Sequence, residues 1–290
     1  MLYTIQNDIL TVSAETAGAE LRSIRSAQIE YLWQGDSRTW RDHAPTLFPY
    51  VGRATGGHVR YRGKRYPMPI HGLAPTSEFT LVEKTMASMT MLLASSEKTL
   101  ACYPFAFRFY VTWTLHGSEL ELRYRVCSDT DETMYFGLGA HPGIRVPLEP
   151  HLRFEDYCLR FAPGVQPVSV GLSDDCFPNG DDHPFALENG DTLPLRHTLF
   201  DRDAIVLKNA GHHVTLCSSR AAHGVTVSFP DQAYFGIWQW PKSEASYVCL
   251  EPWSSLPSHK GIEEDLQTQP TLLSLAPHGE YQTHIRFEFT

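Results

Sequence analysis

Among the titratable side chains followed at once by a proline are His141, before Pro142, and Glu251, before Pro252. The residue before a proline is pushed out of the helical region into extended backbone, so both side chains are expected on or just past a strand. Around His141 the stretch MYFGLGAHPGIRVP (134–147) supplies Gly137, Gly139 and Gly143. Those glycines clear side chains and let a ligand or a second backbone come close. Glu251 ends the apolar run Tyr247-Val-Cys-Leu250. A carboxylate at such a place is costly to bury unless it is paired or used. Burial also lifts its pKa towards that of a general base. A stiffly held imidazole and a raised carboxyl have the makings of an acid–base pair. The plainer readings are a strand-end turn for His141 and an arginine-paired glutamate for Glu251.

Two further places carry chemistry. Arg53 follows a glycine in Phe48-Pro-Tyr-Val-Gly-Arg53, and its planar fork suits neighbouring hydroxyls or a carboxylate; a surface ion pair is the ordinary alternative. His71 sits beside a glycine in Ile70-His-Gly-Leu-Ala74, with a structural histidine as its alternative. Trp238, Trp240, Trp253 and Phe136 are expected near these groups. Aromatic rings beside acid–base groups suit a sugar, whose C–H faces stack on rings while its hydroxyls take hydrogen bonds. The residues by themselves therefore point to a carbohydrate site. No GxGxxG, Walker loop, GxSxG elbow or HExxH is present, and those would announce nucleotide, acyl-transfer or zinc-hydrolase chemistry. His212 and His213 are adjacent and would face opposite sides of a strand, so they read as solvated loop. No metal and no cofactor are expected.

The elements that must position these groups are strands. From Phe105 the apolar side reads Phe107, Phe109, Val111, Trp113 and Leu115, against Arg108, Thr112 and Thr114. After His116-Gly117-Ser118, Leu120, Leu122, Tyr124 and Val126 alternate with Glu119, Glu121, Arg123 and Arg125. This is the pattern of an antiparallel hairpin with one buried face. Weaker alternation predicts strands over 2–5 and 9–12, 19–26 and 30–33, 57–61 and 65–67, and 78–84 and 88–95. More follow over 204–208, 214–218, 224–229, 234–238, 247–251 and 282–289. Only 37–41 and 96–103 have room for a short helical turn, and 161–197, rich in Pro, Gly and Asp, reads as long surface loops. With strands on both sides of it and no linker, 1–290 reads as one all-β domain whose sheets must stack face to face, a large β-sandwich.

Composition narrows the partners. Of the 290 residues 42% are hydrophobic and 12% aromatic, enough for a sizeable core, and the net charge is −9 without a dense basic cluster. Nucleic acid and anionic membranes are therefore not expected as partners. The six cysteines form no CxxC pair and several lie in apolar runs, as buried free thiols do in a reducing compartment. The first residues, MLYTIQNDIL, lack the basic and apolar regions of a leader. A cytoplasmic protein, monomeric or homodimeric, acting on a small molecule is the expectation.

At these residues the chain resembles the aldose 1-epimerase (galactose mutarotase-like) family, in its short divergent bacterial branch. The matching pieces run nearly end to end: GAEL-S (18–23), EYLWQGD (30–36), LFPYVGR (47–53), HGLA (71–74), YPFAF (103–107), GAHPG (139–143), FEDY (154–157), VSFP (227–230) and CLEPW (249–253). The resemblance implies a large antiparallel β-supersandwich that interconverts the α and β anomers of a free sugar. By it Glu251 corresponds to the base that takes the O1 proton and His141 to the acid that protonates the ring oxygen. His71 and Arg53 match residues that hold the sugar. The Asn-rich segment that follows the arginine in well-studied members is here Ala-Thr-Gly-Gly-His (54–58). The family's sugar-binding aspartate matches Asp203 or Asp201 by rough position only, so galactose specificity does not carry over. Two other activities stand beside mutarotation. One is a non-catalytic sugar-binding protein of the same fold. The other is a hexose-6-phosphate epimerase, with Arg60, Arg62, Lys64 and Arg145 as phosphate ligands.

Overall fold

A computed structural model describes residues 1–27 and 29–290. The predicted hairpin is its most regular part. Phe107–His116 and Glu119–Ser128 pair antiparallel from Phe107↔Ser128 to His116↔Glu119, turning through Gly117 at φ +58°, a conformation glycine adopts without strain. Phe107, Phe109, Val111, Trp113 and Leu115 are all buried while Arg108 and His116 are exposed. Ser88–Ala94 and Thr80–Lys84 extend the sheet on one side. On the other lie Glu280–Phe289, Val225–Ser228, His213–Cys217, Cys158–Phe161 and Thr192–Pro194, giving nine strands.

Facing it is an eight-stranded sheet made of shorter pieces. Its order is His183–Pro184, Val168–Ser169, Ile205–Lys208, Tyr234–Trp238, Tyr247–Trp253, Gly139–Ala140 and Thr46–Leu47, with Gly143–Arg145 also on the Tyr247–Trp253 strand. The two layers meet on aromatic rings. Phe48, just past Thr46–Leu47, stacks on Phe109 of the nine-stranded sheet with centroids 4.3 Å apart, the contact that burying both inner faces requires. The Tyr124 hydroxyl also donates across the layers to the Gly139 carbonyl at 3.0 Å. A four-stranded N-terminal sheet, Leu2–Gln6 through Ile29–Glu30, and two two-stranded ribbons complete the strands. The fold is the all-β antiparallel β-supersandwich expected from the sequence.

Among the described residues helix is confined to Glu97–Leu100, capped by Ser96, and to 3₁₀ turns. The other candidate turn, 37–41, is irregular; its Asp36 carboxylate accepts from Arg38 instead of starting a helix. The segment 161–197 is mostly loop, as predicted, with three strand pieces of two or three residues. No helix among the described residues is long and apolar enough to cross a membrane.

Candidate active site

The Tyr247–Trp253 strand is buried along its whole length, so its alternate residues Tyr247, Cys249, Glu251 and Trp253 share one face. Gly139 pairs with Trp253 and Gly143 with Cys249 across one flank. Continued through the gap between them, that register sets His141 opposite Glu251. The two residue–proline steps thus face each other on neighbouring strands. Each proline lacks the N–H that a ladder needs there, which is why pairing opens at this point. His141 Nε2 and Glu251 Oε2 are 3.2 Å apart, without the alignment of a hydrogen bond, and Glu251 Oε2 and His141 Nδ1 are buried with no hydrogen-bond partner.

The glycines flagged in the sequence are bare for a definite reason. A Cβ on Gly143 would stand 2.7 Å from the Trp40 ring, and one on Gly139 2.8 Å from the Trp253 ring. Across the other flank Gly236 pairs with Glu251, where a Cβ would crowd the Glu251 Cβ at 3.1 Å. Three glycines therefore make room for the rings that enclose the pair. His141 has Trp40, His71 and Trp238 around it at centroid distances of 5.1, 5.3 and 5.5 Å.

His71 arrives on a tight turn. Its own φ is +63° and that of Gly72 is +81°, and a Cβ on Gly72 would lie 2.4 Å from the Phe48 carbonyl oxygen. His71 N–H donates to the Gly52 carbonyl, and Gly52 N–H donates to His71 Nδ1 at 3.2 Å. With Nδ1 accepting, the proton of the neutral ring sits on Nε2. Burial first, then the charge of Arg53, lowers the His71 pKa to about 4. The same desolvation, with His71 adding to it, holds His141 well below the usual histidine range. Glu251 moves the opposite way, pushed well above the carboxylate range by burial, with Asp203 acting in the same direction.

Arg53 is exposed at the lip. Asp203 lines the same pocket with both oxygens engaged: Oδ1 accepts the Trp238 indole N–H at 2.6 Å and Oδ2 the Cys176 thiol at 2.9 Å. Burial and this carboxylate push the Cys176 thiol up to about 12. The cavity that these groups line measures about 280 Å³. It includes Arg53, His71, His141, Asp203, Trp238 and Glu251, the six site residues named from the sequence, together with Trp240 and Trp253. Asp201 does not line it. Phe136, expected beside the site, is instead a core residue 5.9 Å from Phe48, because its strand pairs with Leu273–Leu275 away from the pocket.

Sequence reasoning missed Trp40, Asp42 and Cys176, all of which line the pocket. Trp40 and Asp42 come from an irregular segment and Cys176 from the long loops, where periodicity carries no signal. Of the phosphate ligands suggested for a sugar phosphate, none lines the cavity. Arg60 pairs with Glu263 and Arg62 with Glu132, and Arg145 donates to the Glu30 carbonyl. His212 and His213 belong to no metal-ligating group among the described residues; the one group of three such side chains is His141, Cys249 and Glu251.

The chain is similar to known proteins over its length. Protein LacX of Lactococcus lactis subsp. lactis, plasmid form, is 32% identical over 96% of this chain and 95% of its own. A galactose mutarotase related enzyme from Lactobacillus acidophilus is 31% identical with a TM-score of 0.95, over 100% of this chain and 97% of that one. A galactose mutarotase-like protein from Lactobacillus casei ATCC 334 matches at 31% identity and TM-score 0.95, over 100% of both chains. The sequence profile described as aldose 1-epimerase matches residues 1–265, and this chain belongs to the aldose 1-epimerase family.

Proposed function

We propose that this protein is a mutarotase, interconverting the α and β anomers of a free aldose, with Glu251 and His141 as its acid–base pair. One observation carries the reading: a buried glutamate and a buried histidine 3.2 Å apart, opposite each other at the floor of an aromatic-lined pocket, with no cation beside the carboxyl. Burial disfavours either charge alone, so the pair holds one labile proton between two neutral groups. Passing that proton from Glu251 to His141 leaves a carboxylate and an imidazolium, the base and acid the reaction needs. Glu251 takes the O1 proton while His141 gives its proton to the ring oxygen, and the C1–O5 bond opens to the aldehyde. After rotation about C1–C2, His141 takes back the O5 proton and Glu251 returns one to O1 as the ring closes on the other face. Every proton is accounted for. Concerted transfer by pre-placed groups removes the need for water to find both atoms at once.

His71 donates from Nε2 and Arg53 from its fork to the sugar's oxygens, and Asp203, held by Trp238 and Cys176, accepts from its hydroxyls. The pocket's solitary lining arginine and the engaged arginines elsewhere favour a free sugar over a phosphorylated one. We read 1–290 as one domain, working in the cytoplasm as a monomer or homodimer on a small monosaccharide and not on nucleic acid or membranes. Polarimetry or exchange NMR on freshly dissolved α-aldoses tests the reading. Wild type accelerates equilibration of at least one sugar and Glu251→Gln does not; no acceleration across a broad aldose panel would sink it. A sugar-binding protein without turnover would bind equally well with both His141→Ala and Glu251→Gln in place.

A further inference from the structure

The proposed reaction leaves one buried nucleophile unused. Cys249 lies two residues before Glu251 on the same face of the Tyr247–Trp253 strand and is fully buried beside the pair. The ligating atoms of His141, Cys249 and Glu251 all lie within 4.8 Å of one another, and the nitrogen–oxygen separation is 3.2 Å. Neighbouring nitrogen and oxygen ligands of a tetrahedral zinc ion stand roughly 3.3 Å apart, given metal–ligand distances of about 2.0–2.2 Å. The nitrogen–oxygen spacing therefore already matches that of a tetrahedral ion, with the thiol within 4.8 Å of both atoms. Glu251 Oε2 is buried and has no hydrogen-bond partner among the described residues, so the oxygen that faces His141 Nε2 is free to take an ion.

We propose that His141, Cys249 and Glu251 form a binding site for a soft divalent cation, Zn²⁺ or Cd²⁺, which competes with the sugar for the pocket floor. The donor set decides the class. Sulfur, nitrogen and one carboxylate suit zinc and cadmium, whereas calcium and magnesium require a shell of oxygens. Three protein ligands leave the fourth position open to the pocket. Zinc takes cysteine as the thiolate and glutamate as the carboxylate, so coordination displaces any proton these groups carry. Once bound, the ion occupies the Glu251 oxygen and the His141 Nε2 lone pair that proton transfer uses. This last consequence rests on the proposed mutarotase reading; the binding does not.

The test uses the full chain, stripped with a chelator, with Cys158 and Cys217 changed to serine. Those two thiols are 3.8 Å apart across neighbouring strands and would otherwise take up soft metal themselves. Titration calorimetry with Zn²⁺ should give one equivalent bound. Cd²⁺ should raise an ultraviolet thiolate-to-cadmium absorption. Cys249→Ser should abolish that absorption and weaken zinc at least a hundredfold. Glu251→Gln, nearly isosteric and therefore expected to fold, should weaken zinc at least tenfold. Affinity unchanged in both variants would overturn the site, as would the absence of binding in wild type. If zinc binds through Cys249 but no aldose is turned over, the mutarotase reading fails and the metal site stands. If mutarotation is measured and one equivalent of zinc leaves it untouched, the inference fails and the function stands.

Discussion

Each of the two large sheets buries one glutamate on a strand, and the sheets treat them in opposite ways. Glu121, on the hairpin of the nine-stranded sheet, is 6% exposed and accepts from Arg123 and Arg286 at 2.7 and 3.1 Å. Those guanidinium groups outweigh its burial and hold its carboxyl below the usual range. Glu251, in the eight-stranded sheet, is 1% exposed, has no arginine beside it, and is raised. The same side chain is an anion in one layer and a held proton in the other. Burial alone does not mark a reactive carboxyl. What marks it is burial without a cation, beside another group that can take the proton.

The largest effect that sharpens this comparison is on turnover. Glu251→Gln keeps the shape and removes the proton acceptor, so kcat falls by about 10²–10⁴-fold, read by polarimetry. Glu121→Gln, in the other layer, leaves kcat as in wild type. A Glu121 variant that lost activity as heavily would erase the distinction. Stability moves in a telling direction as well. Because the fold raises the Glu251 pKa, the native state holds more protons than the unfolded chain above the unfolded value, and stability drains as pH rises. Glu251→Gln removes that drain and should melt higher than wild type at neutral pH.

The histidines set the acid side. The pKa values of His71 and His43 are lowered from 6.5 to about 4, by burial first in both cases. Between those values the unfolded chain binds protons that the fold refuses, so stability falls as pH drops from 6.5 towards 4. Each ring adds at most about 1.4 kcal/mol per pH unit to that slope. Melting temperatures of His71→Asn should show a shallower acid limb than wild type. An unchanged limb would mean that His71 is charged in the fold, and the neutral pocket floor would be wrong.

A smaller effect lies at the rim. Trp238→Phe keeps a ring in place but removes the N–H that holds Asp203 at 2.6 Å. A hydrogen bond to a charged group contributes about 1.5–3 kcal/mol, so KM for the preferred sugar should rise roughly tenfold or more, with kcat changed much less. A fall in kcat alone would move Trp238 from the sugar-holding groups into the acid–base step.

How much of this was legible in the sequence follows the same division. The hairpin from Phe107 to Ser128 was readable because one of its faces is core and the other largely solvent, so alternation of side chains maps onto burial. The Tyr247–Trp253 strand of the facing sheet is buried on both faces, so alternation marked it only weakly as a strand; its role was visible through Glu251-Pro252 instead. Steric punctuation did the same for His141, since Pro142 and the flanking glycines constrain the backbone whatever the tertiary context. That His141 lands opposite Glu251 is a matter of register between strands about a hundred residues apart, which no local pattern encodes. Trp40 and Cys176 reach the pocket from irregular loops, where position is set by contacts with the finished fold. Asp203 was placed only by its distance along the chain, and what fixes it, an indole and a thiol from two other segments, is tertiary.

The smallest expected effect tests the quiet half of the comparison. Arg123 and Arg286 are 54% and 45% exposed, so when Glu121 becomes glutamine both cations find water at little cost, and the lost pairing is screened. Such pairs contribute about 0.2–1 kcal/mol, and Glu121→Gln should destabilise by no more than about 1 kcal/mol near neutral pH. The sign with pH is opposite to that of Glu251. A lowered carboxyl pKa gives stability that is present above the unfolded value and is lost as pH falls through the folded one, so wild type and Glu121→Gln should converge in acid. Denaturant melts at pH 7 and pH 3 decide it. A gap that widens in acid would mean that Glu121 is held protonated after all, like Glu251, and that the arginines above it do not set its charge.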